Sequence, residues 1–423
     1  MDSIEIIGGT PLKGEVEISG AKNAALPVMA AALLAPGKSV IGRVPRLRDI
    51  ETMLRIFRHL GVRCGWTGPH TLEIDAADLG DCAAPYDLVR KMRASVLVLG
   101  PLLGRLGKAR VSVPGGCVIG PRPIDLHLKG LEGLSARVEI EHGYVNARAG
   151  RLKGAEIYLG GRFGSSVGAT CNCLLAAATA AGRTTVIGAA CEPEVVDLAG
   201  FLNRMGARIS GAGSPRVTVG GVEELRPAEY TVIPDRIEAG TYLIAGAMTG
   251  GELSLRGARS DHLDALLERL EKMGAEIGRG EEKITISRPG KLSPVDITTL
   301  PYPGFPTDLQ AQMMALLSTV PGISVIVEKV YPERFMHIAE LNRLGAGISL
   351  EGPAAVVRGG RRLSGAEVMA SDLRASAALI LAGLVAEGRT MVRRIYHLDR
   401  GYERMDEKLT TLGARVTRLK EEE

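Results

Sequence analysis

The amino-acid sequence predicts an α/β protein made of six similar segments that fold around two cores. Two patterns support this prediction. A helix end made of an apolar residue, a glycine and a small or branched residue recurs about every seventy residues. A helix that is apolar on almost every side also recurs six times, and a helix without a polar face has to be buried. Six segments of this length account for nearly all of the 423 residues.

The recurring helix ends give the spacing of the segments. Glycine is common at such ends because it stops a helix without strain. The six ends are Leu60-Gly61-Val62, Leu134-Ser135-Ala136, Met205-Gly206-Ala207, Met273-Gly274-Ala275, Leu344-Gly345-Ala346 and Leu412-Gly413-Ala414. Serine takes the place of glycine in the second of them.

Each segment begins with a short β-branched strand, which leads through a polar junction into an amphipathic helix. In the fourth segment, Leu263, Leu266, Leu267, Leu270 and Met273 form the apolar face of this helix. A strand pair follows the glycine, and the apolar helix comes next. The first strands are expected at 39–41, 111–113, 185–187, 253–255, 325–327 and 390–392. The apolar helices are expected at 23–34, 94–103, 168–181, 239–248, 309–317 and 373–385, three in each core, with sheets and outer helices as the walls.

Charged and polar residues collect at two kinds of place in this layout. Some lie at the N-terminal ends of the apolar helices: Lys22-Asn23, Arg93, Ser165-Ser166, Arg236, Thr307-Asp308 and Asp372 to Arg374. Others lie at strand-to-helix junctions: Arg48-Asp49, Cys117 to Asp125, Glu192 to Glu194, Arg334 and Arg400. Helix N-termini have unpaired N–H groups and a partial positive charge, which suit phosphate and carboxylate ligands. We therefore expect an anion-binding cleft between two groups of three helix ends, although Asp308 and Asp372 are also good candidates for helix caps.

The stretch from Pro114 to Asp125 predicts a loop that contains reactive groups. Three glycines and three prolines in twelve residues continue neither a helix nor a central strand. The loop contains one thiol, Cys117, together with the guanidinium of Arg122 and the carboxylate of Asp125. A nearby cation favours the thiolate. On these grounds Cys117 is a nucleophile, a proton donor or a small packed residue, and its position in a loop favours a functional role.

The composition argues against several classes of function. The net charge of +4 results from 52 basic and 48 acidic side chains along the whole chain, and only 4% of the residues are aromatic, which disfavours nucleic-acid and membrane binding. The six cysteines have the spacing of neither a metal site nor a disulfide framework. Cys171, Asn172 and Cys173 lie within an Ala/Leu-rich predicted helix, so we expect them in a core. The N-terminus has no secretory pattern, and no apolar run is long enough to span a membrane. We expect a protein of the reducing cytoplasm without a metal site.

Six motifs, in this order, resemble the UDP-N-acetylglucosamine 1-carboxyvinyltransferase family. They are residues 19–27 (SGAKNAALP), 114–125 (PGGCVIGPRPID), 305–312 (FPTDLQAQ), 334–337 (RFMH), 372–376 (DLRAS) and 399–404 (DRGYER), and the likeness covers the whole chain. The resemblance implies a two-domain inside-out α/β barrel, in which each domain has three βαβαββ-type units with helices inside. It places residues 21–230 in the first domain, and residues 1–20 with 231–423 in the second.

The family transfers the enolpyruvyl group of phosphoenolpyruvate to the 3′-hydroxyl of UDP-N-acetylglucosamine and releases phosphate. This is the first committed step of peptidoglycan synthesis, and it uses neither a metal nor an organic cofactor. The resemblance implies addition followed by elimination. Cys117 would donate a proton to C3 of phosphoenolpyruvate, and Asp308 would take the proton of the hydroxyl. Lys22, Arg122 and Arg400 would hold the phosphate.

Further residues match positions at which the family binds its substrates. Asn23 would hydrogen-bond the tetrahedral intermediate, Arg93 and Arg334 would add positive charge, and Arg374 would face the substrate carboxylate, with Asp372 in the same set. The resemblance also implies contacts with the nucleotide sugar from Pro123, Asp125, Leu126, Ser166, Val167, Gly168 and Val330. The Cys117 loop would close as a lid over the substrates. The antibiotic fosfomycin would add covalently to the Cys117 thiol.

Other functions fit parts of the pattern. 5-Enolpyruvylshikimate-3-phosphate synthase uses the same donor, but we expect it to have a different N-terminal signature and no cysteine lid. A paralogue that only binds the nucleotide sugar would lose nothing if both Cys117 and Asp308 were substituted, and both are present. An enzyme that processes RNA ends would need a basic and aromatic surface, which this composition disfavours. The chain is expected to act as a monomer on small-molecule substrates.

Overall fold

The computed structural model describes residues 2–90, 92–113 and 124–420. They form two compact lobes, each with its own hydrophobic core. The first lobe contains residues 20–113 and 124–233, and the second lobe contains residues 2–19 and 234–420. The borders fall after residues 19 and 233, against expected boundaries after residues 20 and 230.

In these ranges the chain forms twenty-four strands and thirteen α-helices. The strands are β1 (Ser3–Ile7), β2 (Lys13–Glu17), β3 (Lys38–Gly42), β4 (Arg63–Trp66), β5 (Leu72–Asp75), β6 (Ala83–Ala84), β7 (Lys108–Ser112), β8 (Arg137–Glu141), β9 (Tyr144–Arg148), β10 (Glu156–Tyr158), β11 (Arg183–Ile187), β12 (Arg208–Ser210), β13 (Arg216–Gly220), β14 (Glu229–Thr231), β15 (Glu252–Arg256), β16 (Glu276–Arg279), β17 (Lys283–Ser287), β18 (Ile297–Thr298), β19 (Gly322–Val327), β20 (Ile348–Glu351), β21 (Ala354–Gly359), β22 (Glu367–Met369), β23 (Arg389–Arg393) and β24 (Arg415–Leu419). The α-helices are α1 (Lys22–Ala32), α2 (Arg48–His59), α3 (Tyr86–Val89), α4 (Leu99–Leu106), α5 (Asp125–Gly133), α6 (Val167–Ala177), α7 (Pro193–Arg204), α8 (Arg236–Thr249), α9 (Asp264–Met273), α10 (Gln310–Thr319), α11 (His337–Arg343), α12 (Leu373–Val385) and α13 (Met405–Thr411). Short 3-10 helices cover Arg93–Val98, Ser260–His262, Thr307–Leu309 and Ile395–Arg400.

The strands pair into six four-stranded sheets, three in each lobe. All six follow one pattern, in which the second strand pairs in parallel with the edge strand before it and antiparallel with the third, and the third pairs antiparallel with the fourth. The sheets of the first lobe are β14-β3-β5-β4, β6-β7-β9-β8 and β10-β11-β13-β12, and those of the second are β2-β15-β17-β16, β18-β19-β21-β20 and β22-β23-β1-β24. The repeated pairing confirms the six predicted segments.

The start of the chain completes the sixth sheet. Strand β1 lies between β23 and β24 and pairs antiparallel with both. Strand β2 pairs in parallel with β15 and so supplies the edge of the fourth segment. Both N-terminal strands therefore belong to the second lobe.

The six apolar helices lie in the two cores, as the sequence predicts. Helices α1, α4 and α6 are buried in the first lobe, and α8, α10 and α12 are buried in the second. By contrast, the amphipathic helices α2 and α9 bury one face only. Helices inside and sheets outside confirm the inside-out α/β barrel.

The second apolar helix begins differently from the prediction. It starts as a 3-10 helix over Arg93–Val98 and continues as α4. Pro101 has no N–H to donate, and the side chain of Asn172 replaces a further helical hydrogen bond. The backbone N–H of Gly100 donates to Asn172 Oδ1 at 2.7 Å, and Asn172 Nδ2 donates to the Val96 carbonyl at 3.0 Å. This exchange explains why a polar side chain is buried in α6.

Ser135 occupies the same kind of turn as the glycines at the other five helix ends. Its φ angle is 69°, in the left-handed region, and the five glycines have φ angles from 87° to 108°. Residues with a Cβ atom rarely adopt this region. The second segment therefore ends its amphipathic helix in the predicted place, with serine in the strained position.

Candidate active site

Asp308 lies at the centre of an ion-pair cluster in the second lobe. It belongs to the 3-10 turn Thr307–Leu309 that precedes α10. Arg334 Nη1 donates to Asp308 Oδ1 at 2.7 Å, and Arg374 Nη2 donates to Asp308 Oδ2 at 2.9 Å. Arg374 lies in the first turn of α12, and Arg334 shortly precedes α11. Three separate stretches of the lobe therefore meet at one carboxylate.

This cluster keeps Asp308 ionised. The side chains of Arg334 and Arg374 are 7% and 3% exposed, whereas that of Asp308 is 27% exposed. Burial favours the neutral acid, but the charges of Arg374 and Arg334 outweigh it, so the pKa of Asp308 lies well below its usual range. The same pairing raises the pKa of both guanidiniums against the effect of burial. An ionised, partly exposed carboxylate can accept a proton, and its arginine partners can bind an anion beside it.

Asp372 and Asp308 have different roles at the starts of their helices. Asp372 Oδ1 accepts the backbone N–H groups of Arg374 at 2.8 Å and of Ala375 at 3.1 Å, so the expected cap is confirmed there. The expected cap at Asp308 is wrong, because α10 has no side-chain cap among the described residues. Two guanidiniums bind the Asp308 carboxylate instead, and hydrogen bonds between two ions are stronger than those from a neutral N–H.

The first lobe has cations at the starts of its central helices. Lys22 is the first residue of α1 and is only 8% exposed. Its Nζ donates to Asp49 Oδ2 at 3.0 Å, and Asp49 lies in the first turn of α2, where the helix dipole favours a carboxylate. Asn23 follows Lys22 and is partly buried. A phosphate at this helix end would be a second anionic neighbour of the Lys22 ammonium.

A buried histidine lies close to Arg93 in the same lobe. His127 of α5 is 4% exposed, and its Nδ1 is 3.1 Å from Asn172 Nδ2. Because an amide nitrogen only donates, Nδ1 accepts and the ring proton is on Nε2. Burial, together with the charge of Arg93, lowers the pKa of His127 to about 3, so the ring is neutral at pH 7. A Cβ atom on Gly168 would lie 3.0 Å from the ring Cε1 and 3.1 Å from Nε2, which places the ring edge against the start of α6.

Other residues predicted to bind the nucleotide sugar lie at the N-terminal ends of α5 and α6, which pack against each other. Asp125 is the first residue of α5 and is exposed. Leu126 is partly buried, and its Cδ1 would lie 2.9 Å from a Cβ atom on Gly161. Ser166 caps α6 by accepting the Ala169 N–H at 3.3 Å, and Val167 and Gly168 form the first turn after this cap.

Comparison with known proteins identifies the family. A sequence profile of EPSP synthase (3-phosphoshikimate 1-carboxyvinyltransferase) matches residues 6–409. The chain belongs to the EPSP synthase family. It is therefore an enzyme of the enolpyruvyl transferase class.

Relatives in this family match over almost the full chain. The UDP-N-acetylglucosamine 1-carboxyvinyltransferase of Desulfatibacillum aliphaticivorans is 53% identical over 420 residues, which are 99% of this chain and 100% of that one. The enzyme of the same name from Methylacidiphilum infernorum is 54% identical over 419 residues, 99% of each chain. Among solved structures, the enolpyruvyl transferase NikO from Streptomyces tendae has a TM-score of 0.90 at 29% identity and covers 99% of this chain and 98% of its own. EPSP synthase from Acinetobacter baumannii has the same fold, with a TM-score of 0.77 at 18% identity over 99% of this chain and 100% of its own.

Glu328 also belongs to the site, although the sequence analysis did not predict it. It directly follows β19 and is 1% exposed. Its Oε1 accepts the Thr299 hydroxyl at 2.6 Å and the Val330 N–H at 2.8 Å, and its Oε2 accepts the Thr307 hydroxyl at 2.9 Å. Thr307 in turn accepts from Arg334 Nη1 at 3.2 Å. Glu328 therefore fixes both the turn that contains Asp308 and the stretch that contains Val330. The signal in the sequence was an acidic residue directly after a predicted strand.

A second missed group lies beneath the Asp308 cluster. Gln312 Nε2 donates to the Asp308 carbonyl at 3.0 Å and lies 3.1 Å from both Thr241 Oγ1 and Tyr402 Oη. The Arg374 guanidinium lies 5.4 Å from the centroid of the Tyr402 ring, within the range of a cation–π contact. Gln312 lies one helical turn after Asp308, and a polar residue at this place in an apolar helix was the signal in the sequence.

Arg400 is the last residue of the 3-10 helix Ile395–Arg400. Burial and the charge of Arg400 lower the pKa of His397, which places this cation close to the ring. His337 at the start of α11 is also neutral at pH 7, because burial lowers its pKa to about 4, with Arg334 lowering it further and Asp372 raising it. These neutral rings leave the positive charge of this region to the arginines.

Three predicted residues, Cys117, Arg122 and Pro123, lie outside the described residues, and so does the lid expected around Cys117. The prediction that Cys171 and Cys173 are core residues is confirmed, because both are buried in α6. Burial raises the pKa of both thiols, that of Cys173 to about 12. These two thiols are therefore poor nucleophiles at neutral pH.

The described ranges hold no group of three or more His, Cys, Asp or Glu side chains that could bind a metal ion. In the same ranges, none of the helices combines the length and the apolar character needed to cross a membrane. The cations that this part of the chain offers to an anionic substrate are lysine and arginine side chains.

Proposed function

We propose that this chain transfers the enolpyruvyl group of phosphoenolpyruvate to the 3′-hydroxyl of UDP-N-acetylglucosamine and releases phosphate. The observation that supports this chemistry most directly is the Asp308 cluster, which combines an ionised carboxylate with two buried arginines. Relatives of this name, 53% and 54% identical over 99% of the chain, support the choice of acceptor. We place the reaction in the cytoplasm, where reducing conditions keep the Cys117 thiol unpaired.

The first half of the reaction is addition. The Cys117 thiol gives its proton to C3 of phosphoenolpyruvate, the sugar hydroxyl adds to C2, and Asp308 takes the hydroxyl proton. The depressed pKa of Asp308 supports its role, because the group is ready to accept a proton at neutral pH. A substrate carboxylate bound to Arg374 would share the guanidinium with Asp308 and so raise the pKa of this base. Asn23 would hydrogen-bond the tetrahedral intermediate.

The second half is elimination. The new methyl group at C3 loses a proton to the Cys117 thiolate, the C2–C3 double bond forms again, and the C2–O bond to phosphate breaks with its electron pair on the phosphate. Asp308 returns to its ionised form by losing its proton to solvent. Lys22, Arg122 and Arg400 stabilise the charge of the leaving phosphate. The position of Lys22 at an uncapped helix N-terminus, as far as the described residues go, supports this role.

The remaining arginines orient the donor. Arg374 binds the carboxylate of phosphoenolpyruvate, because a guanidinium matches the two oxygens of a carboxylate. Asp372 fixes the backbone of Arg374, and Tyr402 contacts its guanidinium. Arg334 and Arg93 add positive charge on the side of the phosphate.

Residues at two helix starts bind the nucleotide sugar. The N-termini of α5 and α6 have N–H groups and a partial positive charge that suit a diphosphate. The position of Asp125, Leu126, Ser166, Val167 and Gly168 at these two ends supports their assignment. By resemblance, Pro123 and Val330 complete the set, and fosfomycin reacts with Cys117.

The test is phosphate release from phosphoenolpyruvate with each of two acceptors. We expect release with UDP-N-acetylglucosamine and only background release with shikimate 3-phosphate. The reverse preference would assign the chain to the EPSP synthase reaction. Release with neither acceptor would contradict the proposal.

A further inference from the structure

A basic cavity lies in the first lobe at the C-terminal ends of α4 and α6. Its volume is about 900 Å³, and its lining includes the end of α4, the loop after β9 and Thr179 beyond α6. Four cations line it, namely Arg105, Lys108, Arg148 and Arg151, against one carboxylate, Glu223. Ser166 and Gly168 lie at the opposite end of α6. The cavity is therefore separate from the helix ends proposed to bind the nucleotide sugar.

Two of the cations oppose each other across the sheet. Lys108 of β7 pairs directly with Arg148 of β9, and like charges in this arrangement are destabilising. In the first segment, the residues opposite each other are Lys38 and Asp75. Asp75 binds Arg63 at 3.0 Å, and Lys38 binds Glu73 at 3.2 Å. In the other four segments the residue opposite is uncharged: Gly220, Ser287, Gly359 and Ile7. Arg148 thus stands where the first segment has a neutralising carboxylate.

The third cation, Arg105, is also unusual for its position. It precedes Gly107, the left-handed glycine between α4 and β7, by two residues. Before the matching glycines Gly37, Gly182 and Gly388, the same position holds Ala35, Ala180 and Ala386. Arg105 Nη1 donates to the carbonyls of Leu33 at 2.8 Å and Ala35 at 3.4 Å.

The cavity has an excess of positive charge. Glu223 lies 3.7 Å from Arg151. Within the part of the chain that the structure describes, no carboxylate forms an ion pair with Arg105, Lys108 or Arg148. Three cations are therefore left without a carboxylate at one concave surface.

We propose that this cavity binds a small phosphorylated anion with at least two negative charges. The anion would lie between Lys108 and Arg148 and would extend towards Arg105. Guanidinium groups match the oxygens of phosphate in geometry and charge. A cavity of about 900 Å³ is large enough for a ligand of nucleotide size.

The test uses inorganic pyrophosphate as the probe and compares wild type with two charge-reversed variants. Arg148→Asp recreates the Lys38–Asp75 arrangement, so we expect the variant to fold without loss of melting temperature. Arg208→Asp is the matched control, because Arg208 is exposed on edge strand β12, outside the cavity. Isothermal titration calorimetry should find two classes of pyrophosphate site in wild type and in Arg208→Asp. In Arg148→Asp, the dissociation constant of one class should rise at least about tenfold.

Several outcomes would overturn the proposal. Equal pyrophosphate binding by all three proteins would mean that the probe binds at the reaction site alone. An equal loss of affinity in both variants would mean that pyrophosphate binding depends only on the overall charge of the protein. Lys108→Gln removes a cation without adding a carboxylate, and it should weaken the same class of site even if Arg148→Asp does not fold. Unchanged binding in Lys108→Gln would also refute the proposal.

Discussion

The two lobes share one backbone plan but differ in the residues at the starts of their central helices. In the second lobe, an aspartate stands at each start: Asp235 before α8, Asp308 before α10 and Asp372 before α12. In the first lobe, Lys22 and Arg93 are the first residues of their helices, and Ser166 caps the third. Asp235 and Asp372 each accept two backbone N–H groups, whereas α1 has no side-chain cap among the described residues.

This difference shows how one fold supplies two kinds of chemistry. Helix starts with cations and unpaired N–H groups suit the phosphates of the substrates. Where an aspartate caps the helix, the first N–H groups already have an acceptor. A carboxylate ligand would therefore bind to an arginine side chain there and not to the backbone. Asp308 is the exception among the aspartates, because two arginines hold it away from its helix and keep it ionised.

The largest effect is expected when the charge of Asp308 is removed. Asp308→Asn should lower kcat by about 10² to 10⁴-fold, which is the usual contribution of a general base. Asp235→Asn is the matched control, since asparagine caps a helix about as well as aspartate, and its kcat should stay close to wild type. Steady-state kinetics on both variants test the contrast. Similar losses in the two variants would refute a special role for Asp308.

The next effect concerns the Cys117 thiol. Cys117→Ser should lower kcat at least about 10²-fold, because a serine hydroxyl is too weak an acid to donate the proton. Cys117→Asp should keep measurable turnover and should no longer react with fosfomycin, since a carboxylic acid can donate a proton but forms no thioether.

Intact-mass spectrometry after fosfomycin treatment gives the complementary measurement. One adduct is expected in wild type and none in Cys117→Asp, because the proposal makes Cys117 the reacting thiol. Burial raises the pKa of Cys64, Cys171, Cys173 and Cys191, which disfavours their reaction. An adduct on Cys171 or Cys173, found by peptide mapping, would contradict the assignment.

A smaller effect is expected when an arginine of the second lobe is changed to lysine. Arg374→Lys keeps the charge but not the planar fork, so kcat/KM for phosphoenolpyruvate should fall roughly 10²-fold. Arg236→Lys is the control, because Arg236 is the first residue of α8 and faces the Tyr302 ring at 5.6 Å. Equal kinetics for both variants would show that the reaction does not require the planar guanidinium of Arg374.

The smallest effect is the acid sensitivity of folding. The pKa of His127 is about 3 in the folded protein, against an ordinary value of 6.5. The unfolded chain therefore binds a proton on this ring more readily. Lowering the pH from 7 to 5 should therefore cost the folded state about 2 kcal/mol through His127. Asp308 adds nothing in this window, because its pKa is depressed from an ordinary value of 3.8 and its contribution is lost only at lower pH.

Urea unfolding at pH 7 and pH 5 measures this change in the free energy of unfolding. His127→Asn should reduce the pH dependence by about 2 kcal/mol, and Asp308→Asn should leave it unchanged. An identical pH dependence in wild type and His127→Asn would mean that the ring is not held neutral by burial.

The features that could be predicted from the sequence are the local and the periodic ones. Ser135 was found because the helix end recurs at a fixed spacing, and Asp372 caps α12 through residues two and three places further along. Asp308 looked like the same kind of cap, but its partners are 26 and 66 residues away in the sequence. Which partner a carboxylate takes depends on what folding brings near it, and no local pattern contains that information.

Buried polar residues show the same limit. Asn172 was correctly predicted to lie in a core helix, yet its hydrogen bonds to Gly100 and Val96 depend on a helix 72 and 76 residues earlier. Glu328 follows a predicted strand, but its hydroxyl partners Thr299 and Thr307 lie 29 and 21 residues earlier in the sequence, so no local pattern indicated its role. The six-segment plan was therefore predictable, while the contacts that orient the site were not.

The most direct test of the proposed addition and elimination is the mass of the product formed in heavy water from phosphoenolpyruvate and UDP-N-acetylglucosamine. The proposal predicts a nucleotide sugar heavier by one enolpyruvyl group, with deuterium in the CH₂ group, because C3 becomes a methyl group before phosphate leaves. Absence of this product would contradict the proposed activity. A product without deuterium would contradict the addition and elimination by which Cys117 and Asp308 are proposed to act.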